Sequence, residues 1–191
     1  MGEHNDIVVL NNQDLTNPIS NVKCDLPKYW ERDYINERID RIQNNCHRIL
    51  LQFLWFTGVR VTEAVNVRKQ DIDIPNYTIR VRWQKSRKWN YRHIPLHPTL
   101  RDILMIYTAS MKADDLVFPI SRQRAWQLVK KYMKGHPHQF RHSFAVNWLR
   151  CGGDIIVLSR MLGHSKVQST MEYLKIVPID QGKELLKITF K

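Results

Sequence analysis

The sequence predicts an α+β domain, mainly α-helical, with a small three-stranded antiparallel sheet inserted in its first half. Three observations predict it. Apolar residues recur at spacings of three and four over most of the chain, which is helical periodicity. Between residues 71 and 96 the period drops to two, in DIDI, YTIRVRW and YRHIPL. The length, 191 residues with 43% hydrophobic and 25% charged side chains, suits one substantial domain with a tail.

Residues 1–27 are rich in Asn and Asp without sustained periodicity, and are expected to form a tail or linker in which IVVL (7–10) could pair as a short strand. From Lys28 a helix is expected, its face formed by Ile35, Ile39, Ile42, Cys46, Ile49 and Phe53 and its end set by Gly58. VTEAVNV (61–67) reads as the next helix, with Thr62 as its cap. In the sheet, PNY (75–77) makes the first turn and KSRKWN (85–90) the second loop. Alternation places Ile79, Val81 and Trp83 on one face and Arg80 and Arg82 on the other, toward solvent or a partner. TLRDILMIYTASM is amphipathic, and SRQRAWQLVKKYM is expected to start at Ser121 and bury Trp126, Leu128 or Val129, and Met133. Pro137 suits the first turn of a helix reaching Gly152 and Gly153. Asp154 caps DIIVLSRML, which Gly163 ends, and a further helix follows around KVQSTMEYLKI. Residues 179–190 are expected to add a last helix or strand.

Thirty Lys and Arg stand against 18 Asp and Glu, a formal charge of +12. The excess is not scattered: Ile74–Arg101 and Leu116–Gly153 contain no acidic residue. Two long basic stretches of this kind point to a polyanionic partner, nucleic acid first. The three cysteines, Cys24, Cys46 and Cys151, have no CxxC spacing and an odd count, so they read as reduced thiols of a cytoplasmic protein. No secretory leader is expected, and ILLQFLWFTGV is too short to span a bilayer, so Trp55 and Phe56 read as core and no membrane partner is expected.

The chemistry concentrates in four short stretches. In HPHQFRHSF, His138 and Arg141 lie three apart and share a helical face. Arg60 and Glu63 repeat that spacing. Two guanidinium groups from different helices can clamp one phosphate, because each fork matches two oxygens and keeps its charge. Glu63 would then orient an arginine rather than touch the anion. Gly163 permits a tight turn before His164, and Tyr173 follows nine residues later. A phenol with an ordinary pKa of about 10 needs a base or cationic surroundings to act as a nucleophile. Metal ligation is not expected: His138 and His142 have a zinc-compatible spacing, but Gln139 stands where an HExxH glutamate would be. His136 and His142 read as structural or DNA-facing.

TGVRVTE (57–63), the basic hairpin loop QKSRK, HQFRH (138–142) and LGHSKVQSTMEY (162–173) resemble, in order and spacing, the motifs of the tyrosine recombinase (phage integrase) family, of the Cre and Xer kind. The resemblance covers roughly Trp30 to Leu174. It implies a catalytic domain, here residues 28–175, that cuts and rejoins double-stranded DNA without metal, nucleotide or other cofactor; no GxxxxGK[ST] motif occurs. It further implies Tyr173 as the nucleophile and Arg60 and Arg141 as ligands of the scissile phosphate. His138 would be the general base or proton relay, and His164 would hydrogen-bond the phosphate. Lys85 would protonate the leaving oxygen, with Lys88 as the alternative, and Glu63 would be a supporting acid. Arg80, Arg82, Arg87, Lys88, Arg92, Arg122, Arg124, Lys130 and Lys131 are assigned to DNA contacts. The family commonly carries a separate N-terminal DNA-binding domain, whereas about 27 residues precede the first expected helix here, so either a minimal recombinase or a piece of a longer protein is expected; the family assembles as homotetramers on DNA, a monomer in solution being allowed. Residues 176–191 are then a candidate segment for exchange between neighbours, or fold back on their own domain. Two alternatives to recombination, integration or inversion share the scaffold: a type IB topoisomerase-like relaxing enzyme and a non-catalytic DNA-binding regulator.

Overall fold

The structure, a computed structural model, describes residues 27–85 and 88–177, apart from the side chains of residues 84, 85 and 88. The expectations for IVVL, for the N-terminal tail and for residues 179–190 fall outside the described residues, as do the side chains of Lys85, Arg87 and Lys88.

The first helical stretch is two helices, not one. α1 (Arg32–Asp40) and α2 (Asn45–Thr57) are separated by a short break, and the Asn44 side chain accepts a hydrogen bond from the His47 N–H to start α2. Ile39, Ile42 and Cys46 keep helical spacing across the break, so periodicity alone could not reveal it. α2 is the central helix. Ile49, Leu50, Leu51, Phe53, Leu54 and Trp55 are all buried, which accounts for its nearly continuous apolar sequence. Each such side chain contributes roughly 1.5–3 kcal/mol of transfer free energy.

Gly58 ends α2 with φ +62°, in the left-handed region. A Cβ there would lie 2.5 Å from Cδ1 of Phe144, so the close approach of α2 to the later helix that carries Phe144 requires glycine. α3 (Val61–Ala64) follows immediately. Its cap position is Arg60, not Thr62, because the Glu63 carboxylate accepts from the Arg60 N–H at 2.8 Å.

The sheet has the order β1 (Ile72–Asp73), β2 (Thr78–Lys85), β3 (Lys88–Pro95), all antiparallel. Ile79 pairs with Ile94 and Arg82 with Tyr91. Ile79, Val81 and Ile94 are fully buried, so the predicted apolar face is the core face. The hairpin strands run to Lys85 and resume at Lys88, leaving a tighter connection than the six-residue loop expected.

The remaining helices are α4 (Pro98–Tyr107) and α6 (His138–Arg150), which pack on α2, and α5 (Arg122–Met133), α7 (Ile155–Leu162) and α8 (Gln168–Met171), the last passing into a 3₁₀ turn, Glu172–Lys175. Ser121 and Asp154 cap α5 and α7 as expected, and Gly163 ends α7 at φ +68°. Leu128, Val129 and Met133 are buried on α5, but Trp126 is 42% exposed: it lies on the outward side of the helix, where the Lys130 ammonium sits over its ring at 5.3 Å.

Candidate active site

The N-terminal ends of α3 and α6, the turn after α7 and the terminal 3₁₀ turn converge on one patch. Arg60 enters at the start of α3, half-exposed, with Nη1 3.3 Å from Glu63 Oε1. Glu63 is buried and accepts two further bonds from Arg92 on β3, at 3.0 and 2.9 Å. Burial alone would raise the Glu63 pKa. The hydrogen bonds and charge of Arg92, with the N–H and charge of Arg60, outweigh it and hold the carboxyl below its ordinary range.

Arg141 is buried, and its guanidinium is fixed by two backbone carbonyls. Nη1 donates to Gly58 O at 3.1 Å and Nη2 to Leu162 O at 2.6 Å. The C-terminal ends of α2 and α7 therefore aim this side chain. Burial first, and then the Arg60 charge, push its pKa down to about 10, so it stays cationic at neutral pH. The Glu63 carboxylate partly offsets the charge of Arg60 on Arg141.

His164 follows Gly163 and is half-buried. Its Nδ1 lies 2.8 Å from Oγ1 of Thr170, a fully buried residue of α8. Burial, then Arg141, Arg60 and Arg92, lower its pKa to about 4, so the ring is neutral at neutral pH. Tyr173 is 3% exposed, in the 3₁₀ turn packed against α6. Burial raises its pKa, and the Arg141 charge opposes that rise. The hydrogen-bond partner of its hydroxyl is Nδ1 of His142, at 2.8 Å. His138 lies one turn earlier on the exposed rim of α6, with its ring stacked on that of His142 at 6.3 Å.

Arg60, His138, Arg141, His164 and Tyr173 thus come together, while the Lys85 side chain lies outside the described residues. Several of the expected DNA contacts are committed elsewhere. Arg92 is nearly buried: its Nη groups hold Glu63 and its Nε donates to Met161 O at 2.8 Å. Arg80 and Arg82 both pair with the buried Asp71, at 2.7 and 3.2 Å. They do leave the core face of the sheet, as alternation requires, but an acid just upstream of the hairpin waits there for them. Arg122, Arg124, Lys130 and Lys131 are exposed on α5.

A cleft of about 720 Å³ runs from Arg60 and His164 past Trp83 and Trp89 to Arg160. Arg160, Thr170 and His142 were not read as parts of the site in the sequence. Thr170 could have been, since it lies three residues before Tyr173 and shares its helical side. Arg160 interrupts the apolar run of α7 with a charge, a weaker signal. Among the described residues no group of three or more His, Cys, Asp or Glu is arranged to hold a metal ion, and no helix is long and apolar enough to cross a membrane.

The phage integrase family profile matches residues 31–178. A tyrosine recombinase XerA of Pyrococcus horikoshii is 30% identical over 166 residues, covering 79% of this chain and 58% of its own length. The crystal structure of XerA recombinase superposes with a TM-score of 0.70 at 25% identity, over 89% of this chain and 65% of that one. The XerH site-specific recombinase bound to its difH substrate gives 0.67 at 22% identity, over 85% and 54%. The fold is therefore that of an integrase-type catalytic domain. The chain belongs to the phage integrase family, and its matches span 54–59% of the length of the archaeal XerA relatives.

Proposed function

We propose that this domain cleaves and rejoins double-stranded DNA as the catalytic part of a site-specific recombinase, through a 3′-phosphotyrosyl intermediate. The observation that carries the reading is that the 3₁₀ turn bearing the buried Tyr173 packs against α6, the helix that carries Arg141, whose two amino groups are preset by the Gly58 and Leu162 carbonyls. Tyr173 Oη attacks phosphorus. Arg60 and Arg141 hold the non-bridging oxygens, where charge builds in the transition state. His164 donates a further hydrogen bond, from the ring edge opposite its Thr170 contact. His138 acts as general base or relay, and Lys85 gives a proton to the departing 5′-oxygen.

The covalent link conserves the energy of the phosphodiester, so a 5′-hydroxyl reseals the strand without nucleotide hydrolysis. The +12 charge and the exposed basic residues of α5 support duplex DNA as the substrate, gripped through its phosphates with strong salt dependence. Exchange of strands needs several active sites on paired DNA, so the domain works as a homo-oligomer there, with a tetramer the expected assembly. The test is recovery of recombinant product from two target sites together with a covalent adduct on a nicked duplex. Adduct and relaxation without recombinant product would instead favour a topoisomerase.

A further inference from the structure

Of the four residues expected to act with Tyr173 and described by the structure, Arg60, His138, Arg141 and His164, none is hydrogen-bonded to its phenol. His142 is. The O···N distance of 2.8 Å is within general-base reach, and the rings lie 5.8 Å apart at 51°. The contact is sheltered: Tyr173 is buried and His142 is half-buried, on the turn of α6 that also carries Arg141.

We infer that His142 receives the proton of Tyr173 as the tyrosine attacks DNA; this rests on the reading of Tyr173 as the nucleophile. With the ring proton on Nε2, Nδ1 has a free lone pair and the phenol donates to it. As the Oη–P bond forms, the O–H bond breaks and the proton moves to Nδ1. The P–O5′ bond breaks, and the 5′-oxygen takes a proton from the acid of the hairpin loop. Rejoining reverses each step and returns the proton from Nδ1 to Oη.

The ring is a weak base in the free protein, because burial and then His138, His136 and Arg141 depress its pKa to about 4. That is compatible with the role. The phenol becomes strongly acidic as its oxygen bonds to phosphorus, and the arriving phosphate brings negative charge that favours the imidazolium. A low pKa also keeps Nδ1 unprotonated, and so available, at neutral pH. His138, stacked beside it on the exposed rim, is placed to act on the phosphate or to pass the proton onward.

The test is single-turnover adduct formation on a nicked duplex, with DNA affinity and thermal unfolding measured on the same samples. His142→Ala is expected to form adduct about 10²-fold more slowly or worse, with affinity unchanged. His142→Asn places an oxygen near the position of Nδ1 and keeps a hydrogen bond without accepting a proton. It is expected to be as slow as alanine, and it carries the test should the alanine variant unfold. A substrate with sulfur at the 5′-bridging position needs no acid, so it should leave both variants slow. Wild-type rates in either variant, faster cleavage by His142→Ala, or rescue by the sulfur substrate would each overturn the inference. No adduct from the wild-type chain would overturn the parent reading, and the inference with it.

Discussion

Glu63 holds Arg92 with both carboxylate oxygens, at 3.0 and 2.9 Å, and the same carboxylate caps the N–H of Arg60. A buried acid thus ties the β-hairpin to the turn that presents Arg60. Gly163 packs against the other side of Arg92, where a Cβ would come within 3.2 Å of the guanidinium carbon.

Glu63→Gln should therefore damage stability first. It leaves the nearly buried Arg92 cation without a charged partner, and breaking a buried pair in this way costs about 3–5 kcal/mol. For a chain of this size each kcal/mol lowers Tm by roughly 2–4 °C. Calorimetry checks the expectation, and an unchanged Tm would refute it. Arg92→Lys should fail similarly, because an ammonium cannot span both oxygens and Met161 O.

Thr170→Val removes the partner of His164 Nδ1 while keeping the volume of a fully buried side chain. The unmet ring nitrogen costs about 1–3 kcal/mol. A ring free to turn away from the phosphate should slow cleavage by up to about 10²-fold. Thr170→Ser keeps the hydroxyl and should restore the rate. Equal rates for the valine and serine variants would remove Thr170 from the site.

Acid should loosen the free protein before most carboxylates titrate. The pKa values of His142 and His164 fall from the usual 6.5 to about 4 in the folded state. A lowered folded pKa means the unfolded chain binds more protons, so this contribution is whole above about pH 6.5 and is lost as pH falls toward 4. Glu63, also lowered, adds loss in the same direction at lower pH. Urea unfolding across this range should show stability falling, and falling less in His142→Ala. A flat profile would contradict the neutral, half-buried imidazoles.

Much of this was legible in the sequence. Helical periodicity located α2, α4, α5 and α7, and alternation identified the core face of β2, because one buried side per element leaves a readable trace. The resemblance of TGVRVTE, HQFRH and LGH…Y to the family's motifs grouped Arg60, Arg141, His164 and Tyr173, which the structure brings together. What escaped depended on partners distant in the chain. Alternation showed that Arg80 and Arg82 leave the core face, but not that Asp71 sits beneath them. The position of His142, four after His138, gave no hint that the 3₁₀ turn would bring a phenol to its ring. The break at Asn44 was hidden because the apolar spacing runs through it.

The same ion pairs separate the basic residues by role. Arg124→Ala or Lys130→Ala, on the exposed face of α5, should each reduce the salt slope of DNA binding by about 0.9 if the residue meets a phosphate. Arg80→Ala should instead lower Tm with little change in slope, because its guanidinium is engaged by Asp71. Filter binding at several salt concentrations distinguishes the two, and a full unit lost from the slope on removing Arg80 would reverse the assignment.

The most direct measurement traps the covalent adduct on a nicked, end-labelled duplex and maps the modified residue by peptide sequencing. The label should sit on Tyr173, and Tyr173→Phe should form no adduct while binding DNA as the wild type does. A label on any other residue, or undiminished adduct from the phenylalanine variant, would contradict the account.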